Sequence, residues 1–374
     1  MTANMNIAIA AGGTAGHVNP ALALAEELRE RGHHVTFFGE TRRLEGTLVP
    51  KAGFDFQPIE VTGFDRERPW TLVSALWRLS REAKRLTRLF EDDEALKPDV
   101  AIGFGAYVEL PLVRAAAHLG IPYALHEQNS VPGLANKQSA RGASLIAIAQ
   151  PSVAEVFEQR GAASERIVFT GNPVRRSVLA GERSRGRDAL GVGDDETLLV
   201  TFGGSLGAHH LNERMTSLKR DLLAIDGVRV LHSTGADDYE ATVRALALTP
   251  AEAERYAVRP YIDNMGDVLA AADLVLSRAG ASSIAEIAAL AVPAVLVPYP
   301  HATADHQTTN ARLLVDAGAA VMFPDARIDD DAFADELLAL LRDDARRDAM
   351  RAAARGLEQA RAAQKLADAL EGLV

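Results

Sequence analysis

The chain has 374 residues, 48% of them hydrophobic and 24% charged, an ordinary globular composition at a length that allows about two to three domains. Its net charge of −11 argues against nucleic acid as a main partner. It contains no cysteine, which excludes a disulfide framework and any cysteine-ligated metal or iron–sulfur site.

Short β-rich runs alternate with helical patterns along the chain. "NIAIAA" (6–11) reads as a buried strand. The helix after it is expected to open with Asn19 as N-cap and Pro20 at its first position, and to close at Gly32. Further strands are expected at "HVTFFG" (34–39), "FQPIEV" (56–61), "DVAIGF" (99–104), "PYALHE" (122–127), "SLIAIA" (144–149) and "RIVFTG" (166–171). This βαβα order predicts an α/β fold, a parallel sheet with helices on both faces.

Residues 173–196 carry Pro173, five arginines and several glycines with little apolar periodicity, and read as a linker region. The pattern restarts with "TLLVTFGGSLGAHHLNERM". It adds strands at "VRVLHS" (228–233), "YAVRPYI" (256–262), "DLVLSR" (273–278), "PAVLVPY" (293–299) and "AAVMFP" (319–324). From about Asp330 the chain reads as helical. The expected division is an N-terminal domain over 1–172, the linker over 173–196, a second α/β domain over 197–340, and a helical segment over 341–374 available to pack back across the domains.

Both halves open with strand, glycine-rich loop and helix. Such a turn lets backbone approach an anion, and the helix start supplies unpaired N–H groups and partial positive charge. Three turns fit: Gly12-Gly13-Thr14-Ala15-Gly16, Gly103-Phe104-Gly105 and Gly203-Gly204-Ser205-Leu206-Gly207. A fourth helix start, Gly280-Ala281-Ser282-Ser283, offers small residues and hydroxyls to a diphosphate, and Glu286 one turn on can accept from a ribose diol. None fits G-x-G-x-x-G or the Walker A pattern. A phosphate-bearing ligand in an interdomain cleft is therefore expected, and a dinucleotide-dependent oxidoreductase is disfavoured, although Glu40 after the second strand has the placing of a ribose-binding acid.

The motifs "GGTAGHVNPALALA", "HEQNSVPG", "TGNPVRRSV", "GGSLGA", "YIDNM", "RAGASSIAEIAALAVPAVLVPYP" and "DHQTTNA", in this order over about residues 6–340, together resemble one family. It is the family of transferases that add N-acetylglucosamine to undecaprenyl-pyrophosphoryl-MurNAc-pentapeptide, the lipid I to lipid II step of peptidoglycan synthesis. The resemblance implies a GT-B architecture, two Rossmann-like doubly wound domains facing a central cleft, with UDP-GlcNAc as donor and the lipid-linked MurNAc-pentapeptide as acceptor. By motif, Ala281, Ser282 and Ser283 would meet the donor diphosphate, Glu286 its ribose, Ile262 the uracil and Gln307 the GlcNAc ring. Ser205, Arg175 and Asn129 would also line the donor site, and Thr14, Ala15 and Gly16 would reach it from the other domain. Gly13, Thr14, Gly103 and Gly105 would cradle the acceptor pyrophosphate. Three positions depart from the family pattern: Ala15 replaces a frequent glycine, Leu206 a commonly polar residue, and His306 a frequent glutamine.

The implied reaction inverts an α-linked GlcNAc to a β-1,4 linkage. It needs a base for the acceptor hydroxyl and stabilisation of departing UDP. A helix start with Arg175 can supply the second without a metal or other cofactor. His17, beside a helix N-terminus that favours the neutral form, is the first candidate base, and Glu127 the second. His126 reads as a packed strand-end residue. Asp329-Asp330-Asp331 reads as a helix start, and His33-His34 and His209-His210 lack metal-site spacing.

"WTLVSALWRLSREAKRLTRLF" (70–90) joins apolar bulk to a local basic excess in an acidic protein. Trp70, Val73, Leu76 and Trp77 with Arg78 and Arg81 are the expected contacts to an anionic membrane surface. "MTANMNIAIAA" lacks a basic region leading into a long apolar stretch, and no apolar run approaches the roughly 18 residues needed to span a bilayer. A peripheral location on the cytoplasmic face of the cell membrane is therefore expected. The rival reading is an enzyme of the same architecture resembling a UDP-GlcNAc 2-epimerase, which would need neither lipid acceptor nor membrane helix.

Overall fold

The computed structural model describes residues 4–61, 70–204, 208–302 and 305–374, with backbone alone at 71 and 72. The chain forms two compact units, 1–175 with 361–374, and 176–360.

Unit 1 runs β1 (Asn6–Ala10), α1 (Ala15–Glu30), β2 (His34–Gly39), α2 (Glu45–Lys51), β3 (Asp55–Pro58), α3 (Thr71–Asp92), β4 (Val100–Gly103), α4 (Glu109–His118), β5 (Tyr123–Glu127), α5 (Leu134–Ser139), β6 (Leu145–Ile148), α6 (Ala154–Glu158) and β7 (Ile167–Phe169). The strands pair in parallel in the order β3-β2-β1-β4-β5-β6-β7. In β1 the period of two puts Ile7 and Ile9 on one face, with Leu22 and Leu28 of α1. Ala8 and Ala10 face the other side, with Leu86 and Phe90 of α3 and Leu112 of α4. Both faces are buried, so the strand is continuously apolar.

Unit 2 runs α7 (Arg176–Leu179), α8 (Arg183–Leu190), β8 (Thr197–Phe202), α9 (His209–Ser217), α10 (Lys219–Leu223), β9 (Val228–Ser233), α11 (Tyr239–Leu246), α12 (Pro250–Ala253), β10 (Tyr256–Arg259), α13 (Met265–Ala271), β11 (Leu274–Ser277), α14 (Ala281–Ala289), β12 (Ala294–Leu296), α15 (His306–Asp316), β13 (Ala320–Met322), α16 (Asp331–Arg342) and α17 (Asp344–Arg355). Its strand order, β10-β9-β8-β11-β12-β13 and all parallel, repeats the first six positions of the sheet in unit 1, with no described counterpart of β7. Every expected strand is present, most of them shorter than expected, with β2 and β9 at their expected bounds and β3 starting one residue earlier at Asp55.

Two expectations need correction. Residues 173–196 include the division at 175/176, but they do not form a linker: they fold as α7 and α8 against α13. Their glycines allow backbone contact. A Cβ on Gly181 would lie 2.1 Å from the Gly266 carbonyl oxygen, and one on Gly186 2.1 Å from that of Asp267. Their arginines are ion-paired, Arg185 to Asp267 and Arg183 to Asp273, each at 2.6 Å. Helix α1 also starts earlier than expected, at Ala15 with Thr14 as N-cap, and carries Pro20 inside it. Proline's missing N–H costs one intrahelical bond, and the earlier start moves the open first turn to the end of the glycine loop.

Of the C-terminal segment, residues up to 360 belong to unit 2, and α18 (Ala362–Glu371) packs on unit 1. Leu366 and Leu370 join the core beside α1, and Arg31 pairs with Asp368 at 2.7 Å and Glu371 at 3.1 Å.

Candidate functional site

In each unit the strand order reverses beside the first strand, between β1 and β4 and between β8 and β11. Crevices at the carboxyl ends of such strand pairs are the usual ligand sites of doubly wound sheets. The glycine-bearing turns fall there: 12–16 after β1, 103–105 at the end of β4, the described residues 203 and 204 after β8, and the helix start 280–283 after β11. Ser205, with Leu206 and Gly207, lies outside the described residues.

In unit 1, His17 is the third residue of α1 and half-buried. Its Nδ1 lies 3.1 Å from the Gly12 carbonyl oxygen and 3.2 Å from Thr14 Oγ1. A carbonyl only accepts, so Nδ1 carries the proton and Nε2 keeps its lone pair. That nitrogen faces the β4 turn, 3.3 Å from where a Cβ on Gly105 would stand. Burial lowers the pKa of His17, outweighing the opposing pull of Glu127, the Gly12 hydrogen bond and Glu45. The result is a neutral imidazole with one free basic nitrogen.

Glu127, at the end of β5, is placed differently. Buried, it accepts at Oε1 from the Asn129 amide (3.0 Å) and Asn129 Nδ2 (3.4 Å), and at Oε2 from the Gly133 amide (2.9 Å) and Asn136 Nδ2 (2.8 Å). Four donors converge on this carboxylate, which makes it the anchor of the 128–136 segment. Asn129 is thereby held by both its amide and its side chain. His126 is the packed residue its position suggested. Its Nε2 donates to the Gly171 carbonyl at 3.1 Å, its ring lies 5.0 Å from that of Phe104, and burial lowers its pKa to about 4.

The turn glycines also contact acidic side chains. The Gly13 amide donates to Glu45 Oε2 at 3.1 Å, and the Gly105 amide to Glu109 Oε2 at 2.5 Å. A Cβ on Gly12 would lie 2.4 Å from Glu45 Oε1, and one on Gly103 2.5 Å from Glu109 Oε2. The glycines admit two buried carboxyl groups beneath the turns, and the amides of Gly13 and Gly105 are already committed. Ala15 and Gly16 are the first two helical positions of α1, where N–H groups have no intrahelical partner. Glu45 and Glu109 were missed in the sequence. The one available signal is an acid set in an apolar helix start, "YVELPLV" for Glu109. Arg175 closes unit 1 and pairs with Glu26 at 3.1 Å.

In unit 2, Ala281, Ser282 and Ser283 form the first turn of α14, with Gly280 as N-cap, and Ser282 Oγ is buried with no hydrogen-bond partner among the described residues. Glu286 lies on the same helix. Gln307, on α15, accepts at Oε1 from the amides of Ala279 (3.1 Å) and Tyr299 (2.9 Å), which ties the turn after β11 to the chain after β12 and leaves its amide nitrogen to donate. The Ile262 side chain is buried in the core, so any ligand contact there is through backbone. Among the described residues no group of three or more His, Asp or Glu side chains is placed to hold a metal ion.

Helix α3 divides its apolar residues. Leu79, Leu86 and Phe90 are buried, whereas Trp70, Val73, Leu76 and Trp77 are exposed, Val73 by 74% and Trp77 by 62%. Arg78 is exposed nearby, and the Arg81 guanidinium lies 5.2 Å from the Trp77 ring centre. Farther along, Arg81, Lys84, Arg85 and Arg88 line a cavity of about 620 Å³ with Pro58, Glu60 and Glu82. No helix among the described residues is long and apolar enough to cross a membrane.

Residues 7–148 match the glycosyltransferase family 28 N-terminal domain, and residues 197–369 the family's C-terminal domain. The UDP-N-acetylglucosamine--N-acetylmuramyl-(pentapeptide) pyrophosphoryl-undecaprenol N-acetylglucosamine transferase of Halothermothrix orenii is 41% identical over 330 residues, 87% of each chain. The crystal structure of Acinetobacter baumannii MurG superposes with a TM-score of 0.71 at 31% identity, covering 98% of this chain and 99% of that one. A putative UDP-N-acetylglucosamine 2-epimerase from Listeria monocytogenes reaches a TM-score of 0.67 at 15% identity, covering 99% and 96%, a likeness of fold alone. With two doubly wound units of GT-B type and relatives of this identity over most of its length, the chain belongs to glycosyltransferase family 28, among the UDP-N-acetylglucosamine--N-acetylmuramyl-(pentapeptide) pyrophosphoryl-undecaprenol N-acetylglucosamine transferases.

Proposed function

We propose that this glycosyltransferase moves GlcNAc from UDP-GlcNAc to the C4 hydroxyl of MurNAc in undecaprenyl-pyrophosphoryl-MurNAc-pentapeptide, with inversion, as a step of cell-wall synthesis. The observation that carries the reading at residue level is the neutral His17, whose free Nε2 points into the switch-point crevice of unit 1. His17 takes the hydroxyl proton as the MurNAc oxygen attacks the anomeric carbon and the bond to UDP breaks. Glu127 is too fully engaged in anchoring the 128–136 segment to share that role.

Unit 2 binds the donor. The first turn of α14, with Ser282 Oγ, takes the diphosphate and stabilises the charge on departing UDP. Glu286 accepts from the ribose hydroxyls, backbone at Ile262 meets the uracil, and the Gln307 amide nitrogen donates to the sugar. This arrangement requires no cofactor. In unit 1 the acceptor diphosphate lies at the first turn of α1, at Thr14, Ala15 and Gly16, beside the Gly103–Ala106 turn. Acceptor-dependent UDP release tests the reading as a whole. The epimerase reading has fold likeness alone behind it.

The lipid acceptor calls for a membrane surface, and the exposed face of α3 has the chemistry for one. Trp70, Val73, Leu76 and Trp77 enter the acyl boundary of the cytoplasmic face, while Arg78 and Arg81 meet anionic headgroups. Burying each large apolar side chain contributes about 1.5–3 kcal/mol. Leu76→Asp with Trp77→Asp should therefore weaken binding to anionic vesicles more than about tenfold with the fold intact by circular dichroism. Unchanged vesicle binding by the folded double variant would remove α3 from this role.

A further inference from the structure

Glu109 is a buried acid that the chemistry above does not use. It is 0% exposed at the first position of α4. Its Oε2 accepts from the Gly105 amide, while Oε1 is buried with no hydrogen-bond partner among the described residues. Gly103 has no side chain in the space this carboxyl group fills, and the Gly105 it holds lies directly against His17 Nε2. Ala106, the next residue, has a φ of +67°, a left-handed conformation that costs a non-glycine residue energy and needs to be held.

We propose that Glu109 is a positioning residue for the acceptor: in its neutral form its carboxyl group fixes the Gly103–Ala106 turn against His17 Nε2 without placing a negative charge beneath the acceptor's diphosphate. The proposal rests on the reading that this turn flanks the acceptor. The carbonyl oxygen, Oε2, accepts the Gly105 N–H, and the acid proton sits on Oε1.

Electrostatics support the neutral form. A helix start favours a carboxylate, and the Gly105 hydrogen bond also lowers the pKa of Glu109. Burial outweighs both and, with the charge of Glu127, pushes the group up to about 8. Other ionisable groups lie on the elements around it. His126 on β5 and His17 on α1 have pKa values lowered by burial. Tyr123 on β5 is raised by burial and by Glu109 itself. Glu45 on α2 is bonded to the Gly13 and Glu40 amides, and α5 carries Lys137. Glu82 on α3, the helix packed on α4, is ion-paired to Arg85.

The sign follows from the raised value. The neutral form prevails below about pH 8, and ionisation above it puts charge under a site for an anion. The test is steady-state kinetics with a soluble, diphosphate-bearing lipid I analogue and UDP-GlcNAc, for wild type, Glu109→Gln and Glu109→Ala. In wild type the acceptor KM should climb about tenfold once Glu109 ionises, with the donor KM steady. Glu109→Gln, isosteric with the acid and unable to ionise, should lose that climb. Glu109→Ala, which leaves the Gly105 amide unpaired, should raise acceptor KM about tenfold at every pH, and the glutamine variant should recover most of this loss.

An alkaline climb that persists in Glu109→Gln overturns the proposal, and so does a wild type with no climb. Donor and acceptor KM rising together in the glutamine variant would also overturn it. Failure of the underlying reading shows elsewhere. A wild-type climb of equal size with an acceptor analogue lacking the diphosphate would remove the turn from the diphosphate site. Near-normal kcat in His17→Ala would remove the base and leave the Glu109 result standing.

Discussion

His17→Ala should lower kcat by about a thousandfold, within the range for loss of a positioned general base, and change the KM for UDP-GlcNAc by less than about threefold. The split follows from where the side chain stands. His17 belongs to unit 1, and its contacts are Gly12, Thr14 and the Gly105 turn. The groups proposed to hold the donor belong to unit 2. The acid limb of kcat/KM gives a second readout. Burial lowers the His17 pKa below its usual 6.5. Since only the neutral ring can accept the proton, activity should persist below that pH and fall as pH drops through the lowered value. The limb should vanish from the residual activity of the alanine variant. Rates close to wild type in His17→Ala would mean that another group takes the proton.

Glu127→Ala should cost on the order of 3 kcal/mol of unit 1 stability, because it strands the amides of Asn129 and Gly133 and the Asn136 side chain. Hydrogen exchange at those two backbone amides should report the loss directly. Turnover should fall with the loss of the 128–136 segment. Glu127→Gln separates an anchor from a base. Its NH₂ would face one of the donors that the carboxylate now accepts from, so stability and turnover should fall together. A glutamine variant of full stability and exchange protection whose kcat is down a hundredfold or more would restore Glu127 as the base.

The legible part of the fold was the part encoded locally. Apolar runs such as "NIAIAA" and "DLVLSR" lie on one strand each, and glycine with small residues between strand and helix marked the turns at both switch points. Composition misled at 173–196. Glycine and arginine look like linker residues in sequence, and only the partner helix α13 shows that Gly181 and Gly186 make room for backbone and that Arg183 and Arg185 have acids to meet. Pro20 invited a helix start, yet the helix tolerates it internally and begins at Ala15.

Within the site, the sequence offered candidates and tertiary contacts sorted them. His17 was the first candidate base and Glu127 the second, and the structure adds a Gly12 carbonyl at Nδ1 of one and four donors on the carboxylate of the other. Glu45 reaches the Gly13 amide from 32 residues along the chain, so spacing carries little trace of it, whereas Glu109 acts four residues back on Gly105. In α3 the residues expected at a surface, Trp70, Val73, Leu76 and Trp77, are the exposed ones, and Leu79 and Leu86 face the core.

The most direct test of the central claim is UDP release from UDP-GlcNAc, measured with and without a lipid I analogue, together with the linkage of the sugar product. The account predicts release that depends on the analogue, one UDP for each new β-1,4 bond between GlcNAc and MurNAc. Release at the same rate without the analogue, or conversion of the donor to a 2-epimerised sugar, would contradict it.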